Sequence, residues 1–164
     1  MAKKKDVPSE ITAALGKTLV KAEPAKVAGS GAQAWVAVGD RQFALLVEGD
    51  LALFDWFEFA NGAWTGEDRE LKLTFIDDER EPLVLSFDGE DIPAVVPVLN
   101  ERIDDSVVYQ QFVKLDSGED VRGQIRRDRA GELFVQVPWG KAASDGDRAA
   151  LEQLAVELRD AVGM

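Results

Sequence analysis

Apolar and polar positions alternate most clearly over residues 71 to 103. Leu71, Leu73 and Phe75 alternate with Lys72 and Thr74, and Leu83, Leu85 and Phe87 alternate with Val84 and Ser86. A period of two predicts strands with one buried face each. Ile92, Val95, Val96, Leu99 and Ile103 then recur at the spacing of a single helix face, which predicts an amphipathic helix opening at Asp91-Ile92-Pro93. Pro93 suits a first turn, where its missing N–H is not needed, whereas Pro97 predicts an irregular start. Asp104 and Asp105 oppose the helix dipole at its carboxyl end, so they mark where the helix stops.

Upstream, residues 1 to 8 read as a disordered basic tip containing Lys3, Lys4 and Lys5. Ser9 predicts the cap of a short helix through Leu15, with Ile11, Ala14 and Leu15 on its apolar side and Gly16 as its stop. Residues 18 to 27 predict a strand, and Pro24 within it predicts an edge position. Gly39-Asp40 between two apolar runs predicts a two-residue hairpin. Residues 51 to 60 contain Leu53, Phe54, Trp56, Phe57 and Phe59, with a change of parity between Trp56 and Phe57. That change predicts a bulge or a strand buried on both faces. Asn61-Gly62 fits either a tight hairpin or a bulge in a strand ending near Trp64.

Downstream, residues 107 to 115 predict a strand. Residues 121 to 127 and 133 to 137 predict a hairpin around Arg129-Ala130-Gly131, ended by Pro138-Trp139-Gly140. Ser144, Asp145 or Asp147 caps a final helix with Leu151, Leu154, Ala155, Leu158 and Val162 on one face. Strands followed by a helix, twice, predict an α+β fold with antiparallel sheets. The expected organisation is a β-sheet with its closing helix over residues 9 to 105, then a smaller block of strands ending in a helix over residues 106 to 164, packed with the first as one compact unit.

Charge narrows the function classes. The chain has 164 residues and a formal net charge of −12. Such a field repels nucleic acid and anionic membrane surfaces, so neither is expected as a partner. Cysteine and histidine are both absent, which removes disulfides, thiolate chemistry, the commonest general base and the commonest zinc ligand. Asp6 and Pro8 follow the lysines where a signal peptide would need an apolar segment, and a cytoplasmic location is expected.

Candidate catalytic groups are then carboxylates and serines. Asp77, Asp78, Glu79 and Glu81 cluster around Arg80 between two strands. Hard cations take carboxylate oxygens, but this run lacks the alternating ligands and the glycine of a calcium loop, so it reads as a solvated turn. Ser86 and Ser106 have no nucleophile-elbow context and no histidine to activate them. The glycines form no phosphate-binding fingerprint. No metal or cofactor is expected.

Candidate binding groups are clearer. Arg122, Gln124 and Arg126 share one face of their strand, opposite Val121 and Ile125, with Arg127 beside the next turn. Arginine is suited to two-point capture of carboxylate or phosphate. The plainer reading is a solvated strand face neutralised by nearby acids. Trp35 and Trp56 read as core. Trp64 and Trp139 lie near turns, where partial exposure suits a protein interface.

The order of six or seven strands and a closing helix, with Trp56-Phe57-Glu58-Phe59-Ala60, Trp64 and Leu71-Lys72-Leu73, resembles bacterial pleckstrin-homology-like (PH-like) domains. Glu101-Arg102-Ile103-Asp104-Asp105-Ser106, Val121-Arg122-Gly123 and Arg126-Arg127-Asp128 resemble a family of small uncharacterised actinobacterial proteins, over roughly residues 13 to 162. Pro138-Trp139 and the short loop at residues 140 to 143 depart from that pattern. The resemblance implies a PH-like barrel or sheet and transfers no activity or site residue. The leading expectation is a non-catalytic interaction module that binds a protein partner or forms a homo-oligomer. The alternative is a small carboxylate-based enzyme, or an anion-binding protein working through the arginine face.

Overall fold

The computed structural model describes residues 6 to 164. Most of the expected basic tip therefore lies outside the described residues. Val7, from its end, packs beside Ile11 and Leu15. The chain divides into two compact units, one ending at Asp104 and the other beginning at Asp105.

The first unit opens with helix α1 (Ser9–Leu15), which ends at Gly16 with φ 53°. Ser9 lies inside the helix rather than capping it, and Pro8 holds the cap position. Seven strands follow: β1 (Leu19–Val27), β2 (Gln33–Gly39), β3 (Gln42–Val47), β4 (Asp50–Asp55), β5 (Phe59–Thr65), β6 (Glu70–Phe75) and β7 (Leu83–Ser86). They form one sheet in the order β4-β3-β2-β1-β7-β6-β5, with every neighbouring pair antiparallel. β4 and β5 end the order, so the sheet is not closed into a barrel. Helix α2 (Val95–Asp105) buries Val95, Val96, Leu99 and Ile103 in the core of this sheet.

Several local expectations are corrected. β1 lies inside the sheet order, yet β7 pairs only with Lys26 and Val27. At Pro24 β1 therefore has β2 as its single neighbour, which is how a proline fits there. The hairpin at Gly39-Asp40 closes at Val38↔Phe43, so its loop is longer than two residues. The two-residue turn is at Glu48-Gly49, where both φ angles are positive (48° and 91°) and Val47 faces Asp50. The parity change at Trp56-Phe57 is neither a bulge nor a doubly buried strand. A 3-10 turn at Trp56–Glu58 separates β4 from β5, closed by a capping box between Asp55 and Glu58. The Asp55 N–H donates to Glu58 Oε2 at 2.6 Å. The register of β5 against β6 shifts between Phe59 and Asn61, so this segment is a bulge and not a hairpin. Helix α2 starts later than expected and leaves Ile92 61% exposed. Pro97 then falls in its first turn, where backbone N–H groups have no intrahelical partner.

Aromatic rings fill the middle of the first unit. Phe59 lies 5.1 Å from Phe75 and edge-on to Phe43 at 5.7 Å, and the Trp56 indole N–H donates to the Gly39 carbonyl. The second unit is simpler. Strands β8 (Val107–Lys114), β9 (Asp120–Arg127) and β10 (Leu133–Gln136) make an antiparallel sheet in the order β10-β9-β8. Helix α3 (Asp145–Val162) covers one face with Leu151, Leu154, Ala155 and Leu158. Ser144 caps it by accepting the Asp147 N–H. Gly123 on β9 allows this approach, because a Cβ there would sit 2.7 Å from Leu154 Cδ2 and 2.8 Å from Leu158 Cδ1. No helix among the described residues is long and apolar enough to cross a membrane.

Candidate functional site

β9 has two unlike faces. Val121, Gly123 and Ile125 alternate toward the leucines of α3, and Arg122, Gln124 and Arg126 point the other way. On that second face the register sets Phe112 and Gln110 of β8 opposite Arg122 and Gln124. From β10 it sets Phe134 and Gln136 opposite Arg126 and Gln124.

This face is not the open arginine surface that alternation suggests. Arg126 is 0% exposed and Gln124 is buried. The Arg126 guanidinium donates to Ser106 Oγ (2.7 and 3.1 Å), to Gln124 Oε1 (3.0 Å) and to Gln136 Oε1 (3.1 Å). Burial, and secondarily the charge of Arg122, lower its pKa to about 10, so it is still protonated at neutral pH. Alternation alone puts Arg126 on a solvated or partner-binding face with Arg122. Ser106 and Gln136, which supply its neutral acceptors, come from separate chain segments.

The remaining candidates disperse. Arg122 is partly buried and makes one long hydrogen bond, 3.5 Å, to Gln110 Oε1. Arg127 is exposed, and its backbone N–H donates to the Ser106 carbonyl. Trp64 is partly buried: it meets the Phe87 ring edge-on at 6.0 Å and lies beneath the Arg69 guanidinium at 5.4 Å. Arg69 is held there by bonds to the carbonyls of Phe87, Asp88 and Asp91. Trp139, in a 3-10 turn at Trp139–Lys141, is 47% exposed. Trp64 and Trp139 belong to different units and are not parts of one surface of either.

The acidic run at residues 77 to 81 is a turn organised by its own bonds. Asp77 Oδ1 accepts the Glu79 N–H, and Arg80 pairs with Glu58 at 2.9 Å while covering the Phe75 ring at 3.8 Å. Among the described residues no group of three or more acidic side chains converges as metal ligands. A different carboxylate matters more to the fold. Asp147 accepts the N–H groups of Asp116 and Ala143, and these bonds hold its pKa below the ordinary carboxylate value. It thereby ties the β8–β9 turn to the start of α3.

The exposed apolar groups of β8 were missed by sequence reasoning. Phe112 is 59% exposed on the face it shares with Arg122; Tyr109 is exposed on the other face, opposite Ile125, and Val108 at the register shift between Val107 and Tyr109. β8 is an edge strand. The available signal was residues 106 to 113, which contain no charged side chain in a chain that is 30% charged.

Comparison with known proteins adds little. No family model matches the chain, and no curated protein matches it. Among solved structures it is similar to the FERM and C-terminal domain complex of Drosophila Merlin, at 14% identity and a TM-score of 0.46. The match covers 54% of this chain and 30% of that one. A likeness this weak assigns neither a family nor a role.

Proposed function

We propose that the chain is a non-catalytic protein-interaction module, PH-like in its first unit, whose contact surface is the β8 side of the second. The PH-like reading is supported by seven antiparallel strands in one sheet followed by a helix that buries four apolar side chains against it. The interaction reading rests on one observation. An edge strand presents Phe112 at 59% exposure, with Arg122 opposite it in the register. Exposed aromatic and arginine side chains on one patch are the composition of interface centres. Arg126 directs its donors to Ser106, Gln124 and Gln136, which favours a structural role for it over capture of an anion.

The test is affinity capture with the wild-type chain and with Phe112→Lys combined with Arg122→Glu, after circular dichroism has shown both to be folded. The reading requires partners, including further copies of the chain, that the double variant loses. Identical capture by both proteins contradicts it.

A further inference from the structure

The reverse face of the second sheet is where this acidic chain turns locally positive. Val113, Val121 and Ile125 pack with α3, so alternation puts Phe112 and Lys114 of β8 and Asp120, Arg122 and Arg126 of β9 on the side away from it. The charged groups that these two strands place there are three cations and one acid. Arg126 is buried, with its donors on Ser106, Gln124 and Gln136. Lys114 and Asp120 meet at 3.3 Å with both side chains more than half exposed, and a surface pair of this kind holds weakly. Arg122 is different. A guanidinium carries five N–H donors, and its one hydrogen bond among the described residues is the 3.5 Å contact with Gln110 Oε1. The two arginines also repel each other: the charge of Arg122 is the second cause, after burial, of the lowered Arg126 pKa. An anion seated on Arg122 relieves that repulsion. Phe112, opposite Arg122 in the register and 59% exposed, offers apolar contact next to the open donors.

We propose that this face takes an acidic peptide segment of a protein partner, with a carboxylate on the open donors of Arg122 and the neighbouring apolar side chain on Phe112. This rests on the interaction-module reading and names the partner's chemistry. Arginine holds a carboxylate by two parallel bonds, a geometry that neither lysine nor glutamine reproduces in its place. The net charge of −12 repels an acidic partner at long range. At an ionic strength of about 0.15 M the Debye length is about 8 Å, so remote acids are screened while direct contact with Arg122 persists.

The probes are short peptides, capped at both ends, that alternate Glu or Asp with Leu or Phe. Matched sets carry Gln or Asn, or Lys, in place of every acid. Each is titrated into the isotope-labelled full chain at that ionic strength and followed by amide NMR shifts. The expected result is saturable binding of acidic peptides with a Kd below about 1 mM, with shifts centred on Phe112 and Arg122 and absent for the amide set. Arg122→Gln weakens binding by about tenfold or more, and Arg122→Lys restores only part of it. Arg127→Gln leaves it unchanged, because Arg127 lies on the other face of β9, opposite Leu133, which packs on the α3 side. Phe112→Ser is the independent second variant should Arg122→Gln unfold, and it too weakens binding. No saturable binding by any acidic peptide overturns the proposal. So does equal binding of the amide set, tighter binding of the lysine set, or binding that ignores both Arg122→Gln and Phe112→Ser. If acidic peptides fail while Phe112→Lys combined with Arg122→Glu still loses captured partners, the acidic occupant is overturned and the interaction reading stands. If neither peptide binding nor capture responds to this face, both fail.

Discussion

Both units bury a strand on two faces, but with different chemistry. In the first, Val36 and Val38 of β2 join the aromatic core, while Ala37 between them packs with Ile11 and Leu15 of α1. Both faces are apolar, and the sequence there runs Ala34-Trp35-Val36-Ala37-Val38 without a charge. In the second, Val121 and Ile125 of β9 lie under α3, while Gln124 and Arg126 on the reverse face are buried in a polar network. The comparison shows that a polar position in an alternating strand need not face solvent. Acceptors brought in from neighbouring strands can satisfy its donors, and the group is then buried at modest cost.

The largest expected effects fall on the closing helices, where the two units should behave alike. Leu99 of α2 and Leu158 of α3 are both fully buried. Leu99→Ala and Leu158→Ala should each destabilise by about 2–5 kcal/mol in urea titrations. A loss below about 1 kcal/mol for either would mean that the corresponding unit does not depend on its helix.

The next effect should separate the units. Arg126→Leu leaves Ser106, Gln124 and Gln136 without that donor and should cost about 1–3 kcal/mol. Adding Gln124→Leu and Gln136→Leu should recover part of it, because apolar replacement of buried polar partners is often neutral or better and the Ser106 hydroxyl is then the one partner left. If the triple variant is less stable than Arg126→Leu alone, the network is itself a source of stability.

A smaller effect should appear only in acid. The folded-state pKa of Asp147 is lowered, chiefly by the Asp116 N–H. Its contribution is therefore present above the ordinary carboxylate pKa and is lost as pH falls through the lower, folded value. Asp147→Asn should flatten the acid limb of the melting temperature below about pH 4. An unchanged limb would assign it to other carboxylates. The smallest effect belongs to the exposed edge: Phe112→Lys should change monomer stability by no more than about 0.5 kcal/mol, as judged by urea unfolding of dilute protein.

Much of the fold could be read from periodicity. The alternation of Leu71, Leu73 and Phe75 and the helix spacing of Val95, Val96, Leu99 and Ile103 correspond to buried faces, because each pattern reports local geometry. The errors arose where local geometry does not decide. The aromatic run at residues 53 to 59 looked like one strand, because a three-residue 3-10 turn leaves little trace except the Asp55/Glu58 capping pair. Pro24 does sit where β1 has a single neighbour, although β1 lies inside the sheet order, because β7 pairs with only the last residues of β1. The candidate site was legible only in part. Arg122 and Arg127 were found, but the burial of Arg126 depends on Ser106 and Gln136, respectively 20 and 10 residues away. Phe112 was overlooked because an exposed aromatic on an edge strand has the same alternation as a buried one.

The two sheets differ at their edges: β4 exposes Leu51 and Leu53 between Asp50 and Asp55, whereas β8 exposes Phe112 with Arg122 opposite it. Affinity capture with the wild-type chain, with Phe112→Lys and with Leu53→Lys separates them most directly. If the β8 side is the contact surface, Phe112→Lys loses partners that Leu53→Lys keeps. Equal capture by all three proteins, or loss in Leu53→Lys alone, contradicts that reading.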